Sequence, residues 1–153
     1  MEVKLEIKPA IEQLVRGLGG DLKESARAGL VHLLSELEAV AVKHTPVDTS
    51  NLVNSITSYT TDGGMVGILK ATAPYAKYVH DGTGIHGPYK KEIVITPKKA
   101  NALYWPGAMH PVKRVVSKGM KGKPFFAIAI KEVDPQKTFE DGVRKFLRSK
   151  GRM

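Results

Sequence analysis

The chain has 153 residues, 42% hydrophobic and 25% charged, with a net charge of +9, which suits one soluble domain burying a modest core. It contains no cysteine, which excludes a disulfide framework and any thiolate metal site. No apolar run is long enough to span a membrane, and Glu2, Lys4, Glu6 and Lys8 interrupt the segment where a secretory leader would be apolar. A reducing cytoplasm, or a particle assembled there, is the expected setting.

The charge is unevenly spread. Residues 1–83 hold 8 Lys/Arg against 10 Asp/Glu, a net of −2, whereas residues 84–153 hold 16 against 5, a net of +11. Such asymmetry predicts that one end of the molecule meets something anionic, either nucleic acid or an acidic face of a neighbouring subunit.

In chain order, Val3-x-Leu5-x-Ile7 alternates as a strand does, and a short amphipathic helix follows over about residues 9–18. Gly17, Gly19 and Gly20 break it. Asp21 can cap a longer helix reaching to about His44. Leu22, Ala26, Leu30, Leu33, Leu34, Leu37, Val40 and Ala41 recur at spacings of three and four, forming one stripe. Lys23, Glu24, Arg27, Glu36 and Lys43 occupy the opposite face, and these mixed charges mark the stripe as core rather than a membrane-binding surface. Gly29 inside the stripe costs about 1 kcal/mol relative to Ala, and it reads as a place of close backbone approach.

Pro46 stops this helix, because it lacks a donor and disfavours the α conformation in the residue before it. Asp48 and Thr49 can cap a new short turn. Residues 55–61 and 65–71 are β-prone, and Asp62-Gly63-Gly64 between them supplies the turn of a hairpin. Pro74 suits the first turn of another helix and Gly82 its end. Residues 84–91 then read as an exposed loop, and 92–96, 102–105 and 112–117 as short strands. The Gly- and Lys-rich segment 117–123 is expected to be mobile. Pro124 starts a helix containing Phe125, Phe126, Ile128 and Ile130, Asp134-Pro135 ends it, and 136–147 form a last basic helix. The predicted fold is α+β: a long N-terminal helix packed on a mostly antiparallel sheet of about four strands, with short peripheral helices. One domain covers 1–153, with 1–20 as an N-terminal extension and 148–153 as a frayed tail.

Several fragments suggest chemistry that their context refuses. Gly82-x-Gly84-x-x-Gly87 matches the dinucleotide fingerprint in letters, but that motif works only between a strand and a helix N-terminus, and here a helix precedes it and a strand follows. His80, Asp81 and His86 flank a Gly-Thr-Gly turn, which supplies neither the ligand count nor the fixed geometry of a metal centre. His32 borders the apolar stripe, and His44 and His110 are turn residues. Ser55 and Ser117 lack a nucleophile elbow and an assignable His–acid pair. Asp48, Asp62 and Asp81 sit at turns or caps rather than facing one another. The expectation is therefore no catalytic residue, no cofactor, no metal and no small-molecule substrate.

The basic group Lys113, Arg114, Lys118, Lys121 and Lys123 joins a strand to a loop. It is either a solvated face or an electrostatic contact with DNA or an acidic partner. Aromatic residues that would stack unpaired bases are absent from it, and no recognition helix accompanies it.

Three short motifs carry a family resemblance. Pro46-x-Asp48-Thr49-x-x-Leu52-x-x-Ser55-Ile56, followed by Tyr75-Ala76-x-Tyr78-Val79-x-x-Gly82-Thr83, resembles the gene-product-ten-like family of tailed bacteriophages, and Lys123-Pro124-Phe125-Phe126 is similar to its closing Pro-Phe motif. Together the motifs span about residues 39–130. Ser50 stands where the family usually has Gly, and His80 where it usually has Glu. The resemblance implies a non-enzymatic neck or tail-completion protein of the virion, made in the host cytoplasm. It would form a homo-oligomeric ring at the head–tail junction, between head-closure or connector proteins and tail-terminator or tail-tube proteins. Contact with passing DNA would be non-specific, and no membrane is involved. The alternative reading is a DNA-binding accessory protein using the basic C-terminal half.

Overall fold

The computed structural model describes residues 1–6, 20–48 and 50–152. In chain order these form β1 (Glu2–Glu6), α1 (Gly20–His44), α2 (Asn51–Asn54), β2 (Ile56–Thr61), β3 (Val66–Ala71), α3 (Ala76–Asp81), β4 (Ile93–Ile95), β5 (Val115–Ser117), α4 (Phe125–Val133) and α5 (Pro135–Ser149). The short helix expected over residues 9–18 and the capping residue Thr49 lie outside the described residues. Two compact units result: unit 1 comprises Met1–Ala76 and Phe125–Met153, and unit 2 comprises Lys77–Pro124.

Unit 1 is built around α1, the long helix expected from the apolar stripe. A three-stranded antiparallel sheet of order β1-β3-β2 packs on it, and α4 and α5 pack on it as well. The stripe is wide enough to serve both. Ala26, Leu30, Leu33, Leu34, Leu37 and Ala41 are all buried, while Val40, expected in the core, is only half-buried. On the sheet, the side-chain positions of Gly67 meet Leu30 and Leu34, so Gly67, Leu69 and Ala71 face the helix. Ile68 is buried too, but alternation puts it on the opposite face, flanked in register by Lys4 and Tyr59. Lys70 on that outer face lies over the Tyr59 ring, 4.9 Å from its centroid.

The hairpin turn forms as its residues dictate. Asp62, Gly63 and Gly64 have φ of 51°, 63° and 85°, a run that two glycines make inexpensive. The preceding turn differs from expectation. Asp48 is exposed, and α2 begins only at Asn51, entered through Ser50 at φ 62° with no side-chain cap. Left-handed backbone, rather than capping by Asp48, sets this corner.

At the C-terminal end, Phe125 and Phe126 pack edge-on with centroids 4.8 Å apart, and both are buried with Ala129. Asp134 has φ 46°, and its carboxylate accepts from the Lys137 amide at 3.4 Å, starting α5 behind Pro135. Helices α1 and α5 cross at Gly29 and Gly142, where a Cβ on Gly142 would lie 2.9 Å from the Gly29 Cα. The tail expected to fray makes closing contacts: the Arg152 amide donates to the Leu147 carbonyl at 3.1 Å, and its guanidinium pairs with Asp21. Asp21 thus lies within the helix and pairs with the tail, and Gly20 begins the helix.

Unit 2 holds the remaining strands. The sheet of about four strands expected from sequence is a three-stranded sheet in unit 1 and a separate two-stranded antiparallel ribbon, β4–β5, paired Ile93–Ser117, Val94–Val116 and Ile95–Val115. The strand expected at 102–105 amounts to one bridge, Leu103 to Val112.

Candidate functional site

Unit 2 has an unusual physical make-up. Only Gly82 and Gly87 among its residues are buried, so it encloses no apolar core. Its large apolar side chains face outward instead. Ile93, Val94 and Ile95 on β4, Val116 on β5, and Tyr78, Tyr89, Tyr104, Trp105 and Met109 elsewhere in the unit are all exposed. A two-stranded ribbon alone is marginally stable in water, so something besides side-chain burial holds it.

That something is a backbone latch made by glycines. The Thr83 amide donates to the Met120 carbonyl at 2.8 Å, Ile85 to Lys118 at 2.9 Å and Lys123 to Val79 at 2.9 Å, while the Met120 amide donates to Thr83 Oγ1 at 2.9 Å. The two segments approach so closely that side chains cannot fit. A Cβ on Gly84 would sit 2.2 Å from the Lys118 carbonyl oxygen, and one on Gly119 would sit 2.2 Å from the Thr83 carbonyl oxygen. Gly84 and Gly119 also have positive φ. The exposed loop 84–91 and the segment 117–123, the latter expected to be mobile, are tied to each other by these bonds, and the Gly82-x-Gly84-x-x-Gly87 letters serve this contact.

Most of the protein's charge sits here. Residues 77–124 carry ten Lys/Arg and two Asp/Glu, a net of +8 out of the chain's +9. The five cations singled out from sequence are all exposed. Lys113 and Arg114 precede β5 and Lys118, Lys121 and Lys123 follow it, so Arg114 and Lys118 stand about 13 Å apart along extended chain. The basic group thus brackets the short strand β5, whose Val116 is exposed. The exposed apolar bracket was missed in the sequence, although the β-branched run 93–95 was its signal.

The family-motif residues divide by role. Leu52, Ala76 and Phe125 are core anchors in unit 1. Ser55 closes α2, its hydroxyl donating to the Leu52 carbonyl at 2.7 Å. Pro46 follows α1, Gly82 ends α3 at φ 84°, and Thr83 belongs to the latch. Asp48, Tyr75, Tyr78 and Pro124 are exposed. The motif is largely architectural.

Chemistry is sparse. His80 Nδ1 and Asp81 Oδ1 are 2.7 Å apart at the end of α3, and no group of three or more potential metal ligands occurs among the described residues. In unit 1, His44 Nε2 lies 2.7 Å from Glu132 Oε2, with Lys43 Nζ at 3.5 Å from the other oxygen. The His44 hydrogen bond, aided by Lys43, holds the Glu132 carboxyl below its ordinary range. This link ties the end of α1 to α4 on the surface. Among the described residues, no helix is long and apolar enough to cross a membrane.

Residues 8–82 match the sequence model of the HK97-gp10-like family, described as "Bacteriophage HK97-gp10, putative tail-component". The match runs from before α1 through α3 to the latch glycine Gly82, just under half of the chain, and agrees with the resemblance read from the motifs. No curated protein and no solved structure matches the chain.

Proposed function

We propose that this chain, HK97-gp10-like over residues 8–82, is a structural protein of a tailed-phage virion that forms a ring at the head–tail junction. In this reading it joins the head connector to the tail tube, contacting head-closure or connector proteins on one side and tail-terminator or tail-tube proteins on the other. The observation that carries it is unit 2, an exposed apolar ribbon bracketed by cations and without a core of its own. Such a surface is built for a macromolecular neighbour rather than for catalysis. Replacing Lys113, Arg114 and Lys118 by Glu tests the reading. These side chains are exposed, so the free protein keeps its stability, while particles assembled with the variant lack stable tails.

A second reading, DNA binding, draws on the same +8 charge and on a two-stranded ribbon of a size that enters a major groove. The ribbon's side chains argue against base readout, since Ile93, Val94, Ile95, Val115 and Val116 carry no hydrogen-bonding group. Sub-micromolar duplex binding that falls steeply with salt, with normal tails in the charge-reversed variant, would favour this reading instead.

A further inference from the structure

We infer that the groove between α1 and β2 of unit 1 seats the apolar β4–β5 ribbon of a second copy of this chain. The inference rests on the ring reading above and specifies its subunit contact.

The groove arises from the composition of β2. Register with Ala71, Leu69 and Gly67 places Ile56, Ser58 and Thr60 on the helix side. Ile56 is buried, but Ser58 and Thr60 are too short to cover the helix. Val31, Leu34, Ala39 and Val42 are left lining an open groove beside Tyr59. Val31 is 55% exposed and Tyr59 40%. Among the described residues that line the groove, the one charged side chain is Glu38, whose carboxylate accepts a hydrogen bond from the Ser58 hydroxyl at 2.5 Å.

The strand that borders it is an open sheet edge. With sheet order β1-β3-β2, the outer side of β2 pairs with no strand among the described residues. Natural proteins usually blunt such edges with lysine, proline or a bulge, and Ile-Thr-Ser-Tyr-Thr-Thr contains neither Lys nor Pro. An undefended edge beside an apolar groove accepts an added strand, whose main chain bonds the edge while its side chains fill the groove.

Unit 2 supplies what the groove lacks. Its ribbon has short strands that pair with no third strand among the described residues, its apolar side chains are exposed, and Lys91, Arg114 and Lys118 flank them. Cations thereby meet a groove whose formal charge, among the described residues, is the negative one of Glu38. Nucleic acid fits this groove poorly, because Glu38 would repel phosphate and no Lys or Arg lines it among the described residues. Ribbon and groove are different surfaces, so the contact is head-to-tail and closes into a ring when the rotation per subunit divides a full turn.

The chain has no native cysteine, so introduced thiols report on this contact alone. Full-length Ser35→Cys, in the groove, is mixed with full-length Val94→Cys, at the middle of β4, and oxidised at high concentration. The expected result is a disulfide-linked dimer on a denaturing gel from the mixture, far more than from either variant alone. The double variant should give a ladder of higher oligomers, and adding Glu38→Lys should reduce linkage several-fold. Val94→Cys dimerising alone as well as in the mixture would overturn the inference in favour of ribbon-to-ribbon pairing. Linkage confined within single chains of the double variant would overturn it too. Sedimentation of the wild type separates the failures: oligomers without the mixed crosslink reject this seat and leave the ring standing, whereas monomers at every concentration reject both.

Discussion

Gly29 on α1 and Gly142 on α5 stack where the two helices cross, with the Gly29 Cα 2.9 Å from the place where a Gly142 Cβ would stand. Each glycine costs its own helix about 1 kcal/mol in propensity relative to alanine. The crossing takes the helix backbones closer than any side chain would allow. Gly142→Ala should therefore lower stability by about 1–3 kcal/mol despite the gain in helix propensity, the usual range for overpacking. A thermal melt at or above the wild-type midpoint would show that the helices can separate without loss.

Ser50 holds φ 62° at the entrance to α2, with no side-chain hydrogen bond to compensate. Left-handed backbone disfavours residues with a Cβ by about 1–2 kcal/mol, part of which glycine returns as unfolded-state entropy. Ser50→Gly should raise stability by up to about 1 kcal/mol, read as a shift in the denaturant midpoint at unchanged slope. Ser50→Val should shift it the other way.

The latch predicts a pattern of protection. Amides of Thr83, Ile85, Met120 and Lys123 donate across the two segments of unit 2 and should exchange slowly. Gly84→Ala places a methyl carbon against the Lys118 carbonyl at positive φ, so it should release these amides together. Amides of β3 in unit 1 should keep their protection. Equal loss in both units would mean that they unfold as one.

Acid should loosen the surface link between α1 and α4. The hydrogen bond from His44 depresses the Glu132 pKa in the folded chain below its ordinary value of 4.5. A depressed carboxyl stabilises the fold above its unfolded pKa and loses that contribution as pH falls through the folded value. Wild type should thus lose stability below about pH 4.5, and Glu132→Gln should flatten that part of the profile without changing its alkaline side. An unaltered acid limb in the variant would remove Glu132 from the account.

Core truncation should follow burial. Leu33→Ala empties a filled site on α1 and should cost about 2–5 kcal/mol, whereas Val40→Ala, at a half-buried position, should cost less. Chemical denaturation of the two variants gives the comparison.

The long helix and the hairpin were legible in sequence because their causes are local. Leu22 to Ala41 repeat at helical spacing, and Asp62-Gly63-Gly64 can turn where other residues would strain. What the stripe could not reveal was that α1 serves two partners, because periodicity marks an apolar face without naming what covers it. Strand pairing was hidden for a related reason. The β-branched runs at 93–95 and 115–116 announce strands, yet the nineteen residues between the two strands say nothing of whether they pair with each other or join the hairpin. The latch was misread because glycine has two uses. In Gly84 and Gly119 it permits close contact between backbones, where composition suggested mobility. Of the candidate site, the excess of cations was legible, while their division around an exposed apolar strand required the register of β4 and β5.

Unit 1 is discontinuous in sequence: α1 and its sheet come from the first half of the chain, but Phe125, Phe126 and α5 come from the last 29 residues. During synthesis α1 must wait for unit 2 to emerge before its second apolar face can be covered. A nascent chain stalled before Phe125 would carry Ala26 and Gly29 without the Phe139 and Val143 that pack there, an adhesive intermediate. Productive folding is thus tied to completion of translation, and premature termination anywhere in unit 2 should yield aggregates rather than a smaller working protein.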